Sequence, residues 1–378
     1  MSFLIVYFFG LLVTLLIGPL LLSLLFVRLS VFLAHRYDVL ARPSERGSHL
    51  QATPRLGGVG LALAFCLGLL TVEAVVGVWR PPGLWFYGMI VGGVWALVGG
   101  LLDDVLDLPA ANKFLFQAIA ALCFVLLGGT INHIHLPDTT VVILPTWLGI
   151  TLAFCLVVFW INAFNFMDGM DGQAALFCMI FSLGIAMPVM GMQVISPVAM
   201  SAVLLLGCSF GFFLYNRPGC SPEKKTFLGD GGSHFLGLIM MALVIAAAHL
   251  PVRSGRPNGI PLLASMLLLL PFLWDVSYTI LRRLTRGENI FKAHRTHLYQ
   301  RLLVIGWSHS QALVLGHIPW LICFWLSQIY VRSYWDSPMD TPTRYACLLG
   351  GLTTMTFYTG IVLWLEKRAF NKSSPAVA

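Results

Sequence analysis

The chain has 378 residues, of which 58% are hydrophobic and only 10% charged, and its mean hydropathy is +0.84. So little charge cannot cover the surface that a soluble domain shows to water, which excludes an ordinary globular protein and makes the bilayer the solvent. The formal charge of +7 has no soluble basic domain in which to bind nucleic acid, so nucleic acid is excluded as a partner.

Cut at its charged clusters, the chain leaves apolar stretches of about 17 to 28 residues, the length a helix needs to cross roughly 30 Å of hydrocarbon. There are eleven: 3–29, 56–79, 84–102, 114–131, 141–160, 174–192, 197–215, 234–250, 260–281, 303–330 and 345–366. The expected fold is all-α, a polytopic membrane protein of about eleven transmembrane helices forming one integral membrane domain over residues 1–378. The first stretch lacks a basic leader and a small-residue cleavage site and reads as a retained helix. Pro188 and Pro197 interrupt the region 174–215, whose two spans carry the weakest signal. The eight cysteines are scattered, seven of them inside apolar stretches, and read as packing residues rather than a disulfide or metal framework.

With the amino terminus outside, the inside loops are 34–55, 103–113, 161–173, 216–233, 282–302 and the tail after 366. Together with Arg28 they hold 18 of the 23 lysines and arginines, leaving Arg80, Arg253, Arg256, Arg332 and Arg344 elsewhere. This bias places the carboxy terminus in the cytoplasm and gathers positive charge where anionic headgroups and phosphorylated substrates meet it.

The acids share that asymmetry. In Gly100-Leu-Leu-Asp103-Asp104-Val-Leu-Asp107, helical spacing crowds three like charges, which raises a pKa or demands a cation. Hard oxygen ligands of this kind suit Mg²⁺, which keeps several waters and shares substrate phosphates. Lys113, beside Asn112, is placed to meet a phosphate. Asn162, Asn165, Asp168 and Asp171 recur every third residue, a spacing that drifts about 60° per step on a continuous helix. Gly169, Gly172 and a tight turn are needed to converge them.

Further along, Phe227-Leu-Gly229-Asp230-Gly231-Gly232-Ser233 opens a span with the glycine-rich start of an anion site. An aspartate there calls for a metal beside the phosphate, making Asp230 the leading metal ligand; Phe227 either stacks on a flat ring or packs on lipid. Asp275 lies inside a span, where a carboxyl is a functional candidate by default and a helix-packing hydrogen bond is the equal alternative. On a helix, His294, His297 and Arg301 fall within roughly 60° of one another, a cationic stripe for phosphates. Inside-face anchoring accounts for the arginines but not the histidines, and His-x-x-His lacks a third ligand at zinc spacing.

The combination Thr53-Pro-Arg-Leu-Gly-Gly58, Asp103-Asp104, Asn162-x-x-Asn165-x-x-Asp168-Gly-x-Asp171-Gly, Phe227-x-Gly-Asp230-x-Gly-Ser233 and His294-Arg295-x-His297-x-Tyr-Gln-Arg301 resembles the polyprenyl-phosphate N-acetylhexosamine-1-phosphate transferases, glycosyltransferase family 4. The likeness covers about residues 35–305, and the last motif is similar to that of the branch initiating O-antigen and related surface polysaccharides. The resemblance implies Mg²⁺ on Asp230, with Mn²⁺ as an alternative, and Asp103 and Asp104 at the reaction centre, Asp104 sharing the metal. It further implies stacking of Phe227 on uracil, nucleoside contacts from Asp171, Asp168 and the two asparagines, and phosphate contacts from Lys113, His294, Arg295, His297 and Arg301. The loop from Asn216 to Lys225 is about four residues longer than the family's, so no nucleoside contact is carried over to Asn216.

The expected reaction moves an N-acetylhexosamine 1-phosphate, or that of a 6-deoxy relative, from a UDP-sugar to undecaprenyl phosphate at the cytoplasmic face of a bacterial inner membrane, releasing UMP. Direct attack, with Asp103 as general base, and a covalent aspartyl-phosphate route both fit. The expected partners are the UDP-sugar, undecaprenyl phosphate and membrane lipids, with a homodimer admitted. An intramembrane prenyltransferase and a secondary transporter are the rival readings.

Overall fold

The structure is a computed structural model and describes residues 2–42, 51–76, 83–190, 196–250, 259–289, 294–337 and 339–373. In chain order the elements are α1 (Ser2–Arg36), β1 (Leu40–Ala41), β2 (Thr53–Pro54), α2 (Gly57–Val76), α3 (Leu84–Leu106), α4 (Ala110–Leu126), β3 (His133–His135), β4 (Val141–Ile143), α5 (Thr146–Met167), α6 (Gln173–Met190), α7 (Pro197–Asn216), α8 (Gly229–Ala248), α9 (Leu262–Thr285), α10 (Leu298–Val304), α11 (His309–Asp336) and α12 (Thr341–Ser373). Each apolar stretch read from the sequence overlaps a helix, but 141–160 opens on β4 and 303–330 opens on the end of α10 before α11. Among the described residues nine helices are long and apolar enough to cross a membrane, while Ala110–Leu126 is shorter. Arg80, Arg253 and Arg256 lie outside the described residues.

Local chemistry sets several boundaries. Pro197 occupies the first turn of α7, where a missing N–H forfeits no helical bond. Asp107 takes a left-handed conformation (φ 49°) at the end of α3 and returns its N–H to Asp103 O, and Pro109 precedes the new start of α4. The crowded triad read from Asp103, Asp104 and Asp107 therefore does not form: the helix stops before Asp107, whose side chain turns outward. Two short antiparallel ribbons, β1 with β2 and β3 with β4, interrupt the otherwise helical chain.

The bundle is built around α8, whose membrane-length window is wholly buried and which packs against α3, α5 and α2. Small residues allow this. A Cβ on Gly100 of α3 would stand 2.3 Å from Asp230 O of α8, so the two backbones touch and no side chain fits between them. On the periphery, Val13, Ile17, Leu21, Leu25 and Leu29 of α1 are exposed every fourth residue, the apolar face that a helix presents to lipid. Phe177 of α6 and Phe272 of α9 stack at 3.8 Å between centroids, with Trp320 of α11 edge-on to both.

Candidate active site

The carboxy-terminal ends of α3, α5 and α7 and the amino-terminal ends of α8, α10 and α11 meet around a cavity of about 640 Å³. Its walls carry Asp104, Asn165, Asp168, Asp171, Asn216, Phe227, Asp230 and Arg295, with Arg55, Gln300, Trp307 and His309. One wall is made by backbone pairing. Phe227 N donates to Pro54 O (2.8 Å), Gly57 N to Phe227 O (3.1 Å) and Gly58 N to Leu228 O (2.9 Å), which explains the motif from Thr53 to Gly58 as the partner strand of the segment before α8. Gly229 completes the junction. Its φ is +74° and a Cβ there would lie 2.3 Å from Arg55 O and 2.6 Å from Asp104 Oδ2, so glycine alone lets these groups approach.

Asp104 Oδ2 accepts from Gly231 N in the first turn of α8 at 3.1 Å, the end of a helix that favours negative charge. Asn165 Nδ2 donates to Asp230 Oδ1 (2.9 Å) and to Ser233 Oγ (2.8 Å). Asp103 stands beside Asp230, 4% exposed; its Oδ1 accepts from Leu108 N (2.9 Å) and its Oδ2 pairs with Lys113 Nζ (2.7 Å). The third carboxylate joining Asp103 and Asp104 is thus Asp230, brought by α8, in place of the expected Asp107.

The repeat from Asn162 to Asp171 splits where α5 ends at Met167. Asn165, Asp168 and Asp171 line the cavity, whereas Asn162 faces away and donates to Gln117 Oε1 (2.7 Å) and Val158 O (2.9 Å). Gln117 in turn meets His234 Nε2 at 3.2 Å, a buried polar link between α5, α4 and α8. Burial, then Asp230, Asp104 and Asp171, push the pKa of Asp168 well above the usual carboxylate range. Asp171 behaves oppositely: burial is outweighed by hydrogen bonds from His309 and Lys225, which hold its pKa low, with Lys225 Nζ at 2.6 Å and His309 Nδ1 at 3.1 Å from Oδ2.

The cationic stripe expected on a helix from His294 to Arg301 does not form. Helix α10 begins only at Leu298, with His297 as an extended amino-terminal cap. His297 is turned into the protein, its Nδ1 3.0 Å from Asp275 Oδ1, and Arg301 Nη1 pairs with Glu366 Oε2 of α12 at 2.6 Å. His294 contacts Thr296 through Nδ1; burial, His297 and Arg283 lower its pKa to about 4. Of these four expected phosphate contacts, Arg295 lines the cavity.

Several cavity residues escaped the sequence reading. Arg55 lies inside the motif from Thr53 to Gly58 but carries no expected role there, and Lys225, outside the lining, reaches the cavity residue Asp171. Asn216 is an anchor despite that loop, its Oδ1 accepting from Gly172 N (2.8 Å) and its Nδ2 donating to Thr226 O (2.9 Å). Trp307 and His309 lie beyond the last motif, and no local signal marks them.

Residues 86–248 match glycosyl transferase family 4. Over 306 residues the chain is 33% identical to a decaprenyl-phosphate N-acetylglucosaminephosphotransferase of Mycolicibacterium smegmatis, covering 76% of this chain and 74% of that protein. It is 30% identical over 357 residues to a protein of the same name from Mycobacterium tuberculosis, covering 88% and 84%. A probable undecaprenyl-phosphate N-acetylglucosaminyl 1-phosphate transferase of Bacillus subtilis is 27% identical over 310 residues, covering 80% and 79%. With its motifs walling one cavity and relatives aligned along more than two thirds of their lengths, the chain belongs to glycosyl transferase family 4, the polyprenyl-phosphate N-acetylhexosamine-1-phosphate transferases.

Proposed function

We propose that the protein transfers an N-acetylhexosamine 1-phosphate from a UDP-sugar to a polyprenyl phosphate, undecaprenyl phosphate in the bacterial inner membrane, to start O-antigen or related surface glycan synthesis. The observation carrying this reading is the meeting of Asp104, Asp168 and Asp230 with Asn165, Arg55 and Arg295 around a single cavity at helix ends. Such an arrangement suits two phosphorylated substrates that must approach despite like charge.

Asp230 and Asp104 would hold Mg²⁺. Their oxygens are hard donors set among other carboxylates, the chemistry this ion selects. Among the described residues no three His, Cys, Asp or Glu side chains are grouped so as to hold a metal ion, so the proposed ion rests on these two aspartates and on ligands that water and substrate phosphates would add. When bound, the cation neutralises charge on the pyrophosphate and its leaving group.

In the proposed reaction an oxygen of the polyprenyl phosphate forms a bond to the β-phosphorus, the bond from the β-phosphorus to the bridging oxygen breaks, and UMP departs with that oxygen on its α-phosphate. Asp103 takes the acceptor's proton where the acceptor is not already ionised, and Lys113 holds Asp103 in place and meets the phosphate. Arg55 and Arg295 hold the substrate phosphates, and Phe227, Asp171 and Asn216 form the nucleoside end. The cavity opens to the cytoplasm, with eleven spans, the amino terminus outside and the carboxy terminus inside, a reading supported by the distribution of lysine and arginine.

The test is to follow ³²P placed in the β-position of UDP-N-acetylglucosamine and its 6-deoxy relatives. Label is expected in the lipid fraction in step with UMP release. Label remaining in soluble UDP while sugar enters the lipid would refute attack at phosphorus.

A further inference from the structure

Asp275 lies on α9, is 3% exposed and falls within a membrane-length stretch. A carboxylate so placed costs several kcal/mol unless donors compensate it. Its donors are unusually distributed. Thr279 Oγ1 donates to Oδ1 at 3.1 Å from the next turn of α9, but the other two, His297 Nδ1 and Leu298 N, each at 3.0 Å, come from the start of α10. Two of the three bonds therefore tie the bundle to the segment bordering the cavity rather than to a neighbouring span.

That segment reaches the site in two directions. Arg295 and Gln300 line the cavity, and Gln300 Oε1 also accepts from His297 N at 3.4 Å, closing a capping box. Tyr299 reaches the turn carrying Asp168. Its hydroxyl donates to Phe166 O at 3.3 Å, and a Cβ on Gly169 would stand 2.1 Å from that oxygen. Its ring lies nearly parallel to that of His297, 6.1 Å between centroids. A continuous run of contacts thus leads from Asp275 through His297 and Leu298 to Arg295 and Gln300, and through Tyr299 to the turn between Phe166 and Met170.

We propose that Asp275 is a positioning residue for the transfer reaction, fixing the start of α10 so that Arg295 and Gln300 face the cavity and Tyr299 holds the Asp168 turn. The role rests on the function proposed above, but the anchoring itself does not. Charge-assisted bonds to a buried carboxylate are about twice as strong as neutral ones, and a misplacement of about 1 Å at a distance from the chemistry can cost 10²-fold in rate.

The experiment uses the full chain in lipid nanodiscs with the variants Asp275→Leu, Asp275→Asn and Arg295→Ala. Hydrogen exchange of the amides in 294–301 is expected to accelerate in Asp275→Leu, and less in Asp275→Asn, while α8 stays protected. With UDP-N-acetylglucosamine and undecaprenyl phosphate, Asp275→Leu is expected to raise KM for the nucleotide sugar about 10-fold or more. Combined with Arg295→Ala it should add less than about 2-fold, because both act through one contact. Unchanged exchange in 294–301, or losses that multiply in the double variant, would overturn the proposal. If Asp275→Leu fails to fold, Asp275→Asn carries both readouts, since it keeps the shape and weakens the acceptor. If the wild type transfers no sugar phosphate from any UDP-sugar, the proposed function falls, and the exchange measurement still decides the anchoring.

Discussion

The two ends of α8 handle polar groups in opposite ways. At the cavity end Asp103 and Asp230 stand side by side, and Asp104 and Asp168 share the same walls. At the far end three histidines and a buried arginine gather, and the hydrogen bonds of His135, His249 and Arg344 go to the protein itself. His249 Nδ1 lies 2.8 Å from Ile245 O, and its Nε2 accepts from Asn132 N at 3.1 Å; the rings of His133 and His249 meet at 4.6 Å and those of His133 and His135 at 4.8 Å. Arg344 donates through Nη1 to Ser333 O and Ser337 O, both at 3.1 Å, and through Nε to Pro137 O. In a low-dielectric interior, polar groups whose valences the fold completes serve the fold. Like charges crowded together at one end of the helix, with Lys113 the ion-pair partner of Asp103 alone, point to a ligand that balances the rest.

The largest effect should come from the crowded end. Asp230→Asn removes one negative charge and a hard ligand at the first turn of α8 while keeping an acceptor for Asn165. Turnover is expected to fall by about 10²-fold or more, with a thermal midpoint equal to or above that of the wild type, because a repulsive neighbour of Asp103 and Asp104 has gone. Steady-state assay and melting of the same preparation test this; turnover within a few-fold of wild type would remove Asp230 from the reaction centre.

At the far end the expectation reverses. Arg344 is fully buried; it adds to the carbonyls of Ser333 and Ser337, which also accept from Ser337 N and Asp340 N, and it donates to Pro137 O. Arg344→Ala removes the side-chain donor of Pro137 O, at about 1–3 kcal/mol, so the midpoint should fall by about 2 °C or more. The folded fraction should keep its turnover within about 2-fold, which fits the additivity of distant sites. Lost turnover without lost stability would break the contrast between the two ends.

The contrast was only half legible in the sequence. Apolar length gave every long helix, because hydrocarbon thickness fixes it locally. Motifs of acids, amides and glycines marked the cavity, since their residue types fit poorly with a lipid-facing or packed role. Spacing along one chain could not show which acid joins which. Asp107 left the cluster through a left-handed cap and Asp230 entered it from another helix, a tertiary event decided by glycine contacts such as Gly100 against α8. Reading 294–301 as helical failed for a related reason: Asp275, 22 residues before His297, draws the cap and its ring inward. The far-end histidines carried no motif, because their partners are backbone groups for His249 and a tyrosine of the distant α11 for His135.

Proton binding offers the smallest and most selective test. His133 and His135 lie on one short ribbon, and burial followed by the neighbouring histidines holds both pKa values below the usual imidazole value. The groups facing them are His249 at the end of α8 and Tyr334 of α11, whose hydroxyl bonds His135, with the Arg344 guanidinium over the Tyr334 ring. Folding therefore disfavours the protonated rings, and between the lowered values and about 6.5, where free imidazole titrates, the unfolded chain binds more protons than the folded one. Stability is complete above that upper limit and declines as pH falls through the window. His294 contributes in the same direction from the cavity end, so the useful quantity is a difference. The double variant His133→Asn, His135→Asn should show a lower midpoint at pH 7.5, from the lost Tyr334 contact, but a shallower fall towards pH 5.5 than the wild type, with turnover at pH 7.5 unchanged within about 2-fold. Parallel melting curves across that range would mean that these rings are not held neutral by the fold, and a loss of turnover would tie the far end to the cavity after all.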